Sequence, residues 1–447
     1  MASTTRRNPV TRFLFSLTKI ERNEVSAVLL AFLLVFVLMT SYSILKPLRD
    51  ALAGDWGNVA LSMTWTANFG LSLIAVASYG AALTFVRFRV MVPAIYLFFA
   101  LTFFALYLFR TQVPDPTLIN KGFYIWLSVF SLFNLSVFWS FMTDIFNREQ
   151  ARRLFGAIAA GTTVGAITGP TITATMVDTL GANGLLLMSA GLLLAPVFAI
   201  PALRYLKDTR LGNAEVEADL SAQQALGTNP FAGFSVLFSD KYLLGIAGFI
   251  LCYVTINTFV YFELQDLTRE YSLEFRAKIW SWIEITTNTL TLVTAALITS
   301  RIVIRFGMQT ALALMPALVA LGIFALVAAP VLIVLAIFQI GRRVGNYAIT
   351  RPSREMAYTV LDREARFKAK PVIDVVVYRA GDVMAAWLFT LLADKLGLGL
   401  TGVALVIGGV AAVWATVAIW LGRNYAERAG ASREIPGRHE EEVHGVA

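Results

Sequence analysis

The stretch SYSILKPLRDAL, residues 41–52, sets an aromatic ring and two cations on one side of a helix, because Tyr42, Lys46 and Arg49 recur at i, i+4 and i+7. Ammonium and guanidinium groups bind phosphate or carboxylate oxygens strongly away from water, and a tyrosine ring stacks on a planar group. The spacing suits a receptor for an anion that carries a flat ring. The plainer use of Lys46 and Arg49 is to reach back to a membrane interface, but Pro47 and Asp50 are poor choices for a mere basic fringe. Further ionisable and amide groups interrupt apolar runs at Asn134, Glu263, Glu284, Asn288, Asp374, Arg379 and Asp382. Such groups are expensive in hydrocarbon and mark solute or proton pathways. Glu284 and Asn288 lie one turn apart and equally suit a hydrogen bond between helices. Asp374, Tyr378 and Asp382 share a face, with Arg379 three residues from Asp382. An Arg379–Asp382 pair would neutralise both charges; without it, Asp382 can gain and lose a proton. Arg342, Arg343 and Asn346 on the tenth span belong to the same set of candidates, although Arg342 and Arg343 read rather as cytoplasmic anchors.

Several chemistries have no residues to carry them. No G-x-x-x-x-G-K-[ST] run is present, so the chain carries no P-loop of its own. Both histidines, His439 and His444, fall in a polar tail, and Cys252 is the single cysteine. No His/Cys metal cluster and no catalytic triad can be assembled from that set. The reading is a protein without metal or cofactor, and not an enzyme.

The elements that must position these groups are membrane spans. The 447 residues are 57% hydrophobic and 15% charged, with a mean hydropathy of +0.68. Soluble domains carry about 25% charged residues. A bilayer-spanning helix takes about 20 mainly apolar residues. Twelve such segments are expected, near 24–46, 60–85, 90–110, 121–145, 154–177, 184–204, 241–263, 277–300, 309–328, 331–350, 371–394 and 399–421. The net charge of +8 is no sign of nucleic-acid binding, because 28 of the 37 Lys and Arg residues fall on one side of this layout. That bias places both termini in the cytoplasm of a multi-pass protein of the cell inner membrane. The basic start of the chain precedes an apolar run too long for a signal peptide, so the first span is expected to stay.

Residues 205–240 form a polar linker that divides the spans six and six, giving halves at 1–204 and 241–425 and a polar tail at 426–447. The halves echo each other: NREQARR (147–153) follows the fourth span and DREARFK (362–368) the tenth, while LRD (48–50) and LQD (264–266) close the first and seventh. Two six-helix halves in parallel repeat are the major facilitator arrangement, with the site near the midplane. The expected fold is therefore all-α and integral to the lipid bilayer. In the fifth span, GAIAAGTTVGAITGP resembles the antiporter motif of major facilitator exchangers, although Thr173-Ala174 stand where that motif continues with glycines. Its physical content is close helix approach over Gly161, Gly165 and Gly169 beside Pro170, as packing stripe or as gate.

The stretch REMAYTVLDREARFKAKPVIDVVVYRAGD (354–382) resembles the ATP/ADP-exchanging nucleotide transporter family of plastids and obligate intracellular bacteria. Glu355, Met356, Ala357, Tyr358, Leu361, Asp362, Ile373 and Asp374 carry the likeness, and in the first span Tyr42, Ile44, Leu45 and Asp50 match. The family's first-helix lysine falls on Arg49, which keeps the charge. Its eleventh-helix lysine falls on Asp382, which reverses it. The resemblance thus implies the twelve-span fold and transport more strongly than ATP/ADP exchange itself. Three functions follow from these observations. The first is exchange of nucleotides or another small organic anion on Tyr42, Lys46, Arg49 and Arg379. The second is proton-coupled export of amphipathic compounds through Glu263, Glu284 and Asp382. The third is a receptor or scaffold that has lost transport.

Overall fold

The computed structural model describes residues 20–85, 88–211, 232–297 and 299–433. The outer parts of the expected tail and the middle of the expected linker lie outside these residues, as do the two histidines. In a bilayer an unpaired backbone amide has no water to turn to, so long apolar runs must become helices or a closed barrel. Among the described residues they become helices, with no strand.

The helices that matter here are α1 (Val25–Ala53), α2 (Asn58–Phe85), α3 (Phe88–Gln112), α4 (Thr117–Ile145), α5 (Arg148–Leu192) and α6 (Ala195–Leu206). They are followed by α7 (Lys241–Thr268), α8 (Leu273–Leu297), α9 (Thr299–Ala328), α10 (Leu332–Gly345), α11 (Tyr378–Thr390) and α12 (Leu400–Arg433). Among the described residues ten helical stretches are long and apolar enough to cross a membrane. One of them, Arg148–Leu211, has 64 residues, enough for two crossings, and Gly181 interrupts it with a φ of 61° that a side chain would resist. The more polar α8, at the place of the expected eighth span, is not among these ten. Large apolar side chains such as Ile74, Leu101, Phe198 and Phe324 are more than half exposed, as lipid-facing residues should be.

The residues divide into two compact units that do not quite follow the chain. The first contains residues 20–55, 70–211 and 271–285; the second contains 56–69, 232–270 and 286–433. Segments 56–69 and 271–285 thus belong to the unit formed mainly by the other half of the sequence.

In the first unit α1 is pressed against α5. A Cβ on Gly161 or Gly165 would stand 2.6 Å from the carbonyl oxygen of Phe32 or Phe36, and one on Gly169 would stand 2.7 Å from that of Thr40. Only glycine lets the two backbones approach this closely. One turn further the gap widens, and Thr173 fills it by donating to the Ile44 carbonyl at 2.8 Å. This accounts for a threonine where the antiporter motif has glycine. Ser189 Oγ donates to the Ser41 carbonyl at 2.9 Å, and Arg153 holds the buried Glu24 with two hydrogen bonds of 2.8 and 3.2 Å.

In the second unit Asp240 caps α7 and also holds Arg428 of α12 at 2.8 and 3.0 Å, with the guanidinium 4.7 Å over the Tyr242 ring. Trp414 of α12 is fully buried against Phe249 and Tyr253 of α7. Three π-helical segments widen the helices of this unit, at Asn346–Thr350, Val372–Val377 and Leu391–Lys395.

Candidate functional site

Each unit carries its own set of membrane-embedded polar groups. In the first, α1 presents Tyr42, Lys46 and Arg49. Lys46 Nζ donates to Glu284 Oε2 at 2.9 Å; Glu284, on α8, is almost fully buried, whereas the lysine side chain is 22% exposed. Arg49 is gripped by its own neighbour, with Nη2 and Nε at 2.6 and 2.9 Å from Asp50 Oδ1. Its guanidinium stacks 4.9 Å over the Tyr124 ring of α4 and donates to Ser128 Oγ at 3.4 Å. Tyr42 packs against Phe130, ring centroids 6.3 Å apart. Both cations of the opening motif therefore already have a carboxylate. Lys46 is the one whose partner comes from a distant segment, and its side chain is the more exposed of the two, 22% against 15%.

Glu284 does not act alone. Arg276 pairs with Asp55 and Lys278 with Asp178, so three acid–base pairs hold residues 271–285 within the first unit. Sequence spacing offered no signal for these partners, which lie 100 to 238 residues apart. Asn134, expected on a pathway, is buried and donates to the Leu38 carbonyl at 3.4 Å, which ties α4 to α1. Asn288 is half-buried one turn beyond Glu284.

In the second unit Asp374, expected on a pathway, takes part in an ion pair. It pairs with Arg354 at 3.3 Å, while Lys370 pairs with Glu355 and lies 5.4 Å over the Tyr358 ring. The most family-specific stretch of the sequence thus forms a clasp between the end of the tenth span and the start of the eleventh. Arg379 and Asp382, both half-buried on α11, form no ion pair among the described residues, so the neutralising pair allowed by their spacing is not made. Glu263 is buried near the end of α7. Close to it in sequence, Asp266 accepts from Asn58 at 3.2 Å and from Arg269 at 2.8 Å, and Asn58 also donates to Asp394 at 2.8 Å.

Arg342 and Arg343 are corrected from cytoplasmic anchors to buried residues, 2% and 7% exposed. The apolar span continues from Leu332 through the π-helical turn to Val360, about ten residues beyond the expected end. At about 1.5 Å per residue this sets both arginines well inside the span. Arg342 Nη2 donates to Asn257 Oδ1 at 2.8 Å and to Gln339 Oε1, and the guanidinium lies 5.6 Å from the Tyr253 ring centroid. No group of His, Cys, Asp and Glu able to hold a metal ion occurs among the described residues.

The comparisons agree with this architecture. A family model described as TLC ATP/ADP transporter matches residues 121–330, a stretch that includes neither of the two motifs that carry the sequence resemblance. No curated protein sequence matches the chain. Among solved structures, the nucleoside transporter NupG is similar with a TM-score of 0.60 at 14% identity, covering 90% of this chain and 99% of its own. The xylose transporter XylE from E. coli gives 0.59 at 11% identity, with 89% and 95% covered. A bacterial homolog of the human lysosomal transporter Spinster gives 0.57 at 9% identity, with 92% and 99% covered. Fold and family match together make this chain a multi-pass membrane transporter with the major facilitator fold, similar over residues 121–330 to the TLC ATP/ADP transporters.

Proposed function

We propose that the chain exchanges one organic anion for another across the cell inner membrane, with nucleotides as the first substrate class, both termini in the cytoplasm, and no chemistry done on the cargo. The observation that carries this reading is the Lys46–Glu284 pair. Lys46 is open enough to meet a solute, and its carboxylate partner sits on a segment that the pair tethers to α1. An entering anion competes with Glu284 for Lys46 and loosens the tether. When the anion leaves, Glu284 returns and the empty carrier is held again. A carrier that reorients freely only when loaded is an exchanger. Arg49 and Tyr42, on the same face as Lys46, supply the remaining anion-facing groups of the first unit; Arg379 on α11 is the candidate of the second. The family match to ATP/ADP transporters supports nucleotides as the cargo, and the positive-inside charge distribution supports the orientation.

The test is counterflow in proteoliposomes. Vesicles preloaded with unlabelled ATP should take up labelled ATP or ADP, and empty vesicles should not. Equal uptake into empty vesicles would remove exchange, and uptake of non-nucleotide organic anions alone would remove the nucleotide.

A second reading, proton coupling, is favoured by one observation: Asp382 stands where the resembling family has a lysine, and Arg379 does not pair with it. A carboxylate in that setting can change protonation as its surroundings change.

A further inference from the structure

Each unit stacks an arginine on a tyrosine between the equivalent two of its helices. In the first unit Arg49 of α1 lies over Tyr124 of α4; in the second, Arg342 of α10 lies over Tyr253 of α7. The two differ in charge balance. Arg49 has Asp50 on two of its nitrogens, and the set is neutral. Arg342 has the amide oxygens of Asn257 and Gln339, both on Nη2, and no carboxylate within ion-pair distance among the described residues. Its Nε and Nη1 are sealed from solvent and have no hydrogen-bond partner. Arg343, 5.8 Å from the Tyr347 ring, adds a second cation beside it. An amide oxygen carries a partial charge and is no counter-ion. A guanidinium buried without one is costly to keep, and its charge cannot be shed at any physiological pH. A charge retained at that cost inside a transporter is waiting for an anion.

We infer that Arg342 is the anchor of an oxyanion-binding site within the second unit, taking a phosphate or carboxylate group of the transported solute on its unpartnered Nε and Nη1 hydrogens. The ring of Tyr253 backs the guanidinium, and Asn257 and Gln339 fix its plane. This assignment rests on the anion-exchange reading and adds Arg342 to its substrate-binding residues.

The test is thermal unfolding of the full-length protein in neutral detergent, titrated with tripolyphosphate in one arm and citrate in the other. Wild type should be stabilised by at least one of them, and which one separates phosphate from carboxylate. Arg342→Gln should raise the half-saturating concentration at least tenfold. Its anion-free unfolding temperature should equal or exceed that of wild type, because an uncompensated charge is gone. Asn257→Asp supplies the missing carboxylate in place, next to Nη2; it should raise the anion-free unfolding temperature and lose the anion response by the same factor. This variant keeps the test open if Arg342→Gln does not fold. No response of wild type to either anion, or an undiminished response in Asn257→Asp, overturns the assignment. An Arg342-dependent response in a protein that fails nucleotide counterflow supports the site and sinks the exchange reading alone.

Discussion

Replacing Glu284 by glutamine should turn an obligate exchanger into a leaky one. At 2.9 Å and an effective dielectric constant of about 20, the raw attraction between Lys46 and Glu284 is about 6 kcal/mol. Most of it is offset by taking the carboxylate out of water. Fully exposed pairs keep about 0–1 kcal/mol, and breaking a fully buried pair costs about 3–5 kcal/mol. With the lysine side chain 22% exposed and the glutamate 4%, a net value of about 2 kcal/mol is appropriate. Glu284→Gln removes a competitor of that strength, so the half-saturating concentration of substrate should fall by up to about thirtyfold. The tether on residues 271–285 weakens with it, so preloaded vesicles should release label into substrate-free buffer, which wild type should not do. The assay is efflux from preloaded proteoliposomes with and without unlabelled substrate outside. The reverse substitution differs in sign. Lys46→Ala strands a buried carboxylate and should lose folded protein as well as transport, whereas Lys46→Gln with Glu284→Gln should recover the fold without the transport. If Glu284→Gln keeps both the wild-type half-saturation and the wild-type dependence on external substrate, the pair is structural and the gating argument fails.

Arg49→Ala should raise the half-saturating concentration at least tenfold, equivalent to about 1.4 kcal/mol, at unchanged expression; wild-type transport in that variant would return Arg49 and Asp50 to a purely structural pair. Asp382→Asn keeps the shape of the side chain but cannot titrate. It should abolish uptake driven by a pH gradient while leaving counterflow of substrate against substrate intact, and full gradient-driven uptake would discard proton coupling. Gly169→Ala drives a methyl group to 2.5 Å from Ser43 Cβ and should cost about 1–3 kcal/mol by overpacking, seen as a lower unfolding temperature. Gly156→Ala, with open space at that position, is the control and should leave it unchanged.

Much of the fold is legible in the sequence because the bilayer simplifies the reading. Apolar length alone marks the spans, and the glycine spacing at 161, 165 and 169 marks the face of α5 that meets α1. The site is less legible, for identifiable reasons. Tyr42, Lys46 and Arg49 are visible because their relation is local, within two turns of one helix. The partner of Lys46 is 238 residues away and no periodicity connects them. Arg342 was misplaced because a pair of arginines resembles a membrane-edge anchor even where, as here, it lies inside the expected span. Asp374 is visible as a carboxylate that interrupts an apolar span, but its partner Arg354 precedes the short basic helix Arg363–Pro371, and only the folded turn brings them together.

The π-helical segment Val372–Val377 has one further consequence. A π turn holds one residue more than the α turn it replaces, so it stores a single-residue slip in register. Passing that slip along α11 would rotate every side chain it crosses by about 100°, the angle between successive residues of an α-helix, without breaking the helix or moving its ends far. Tyr378, Arg379 and Asp382 lie immediately downstream. A helix clasped at its start by the Asp374–Arg354 pair can therefore still change which of its side chains faces a given direction.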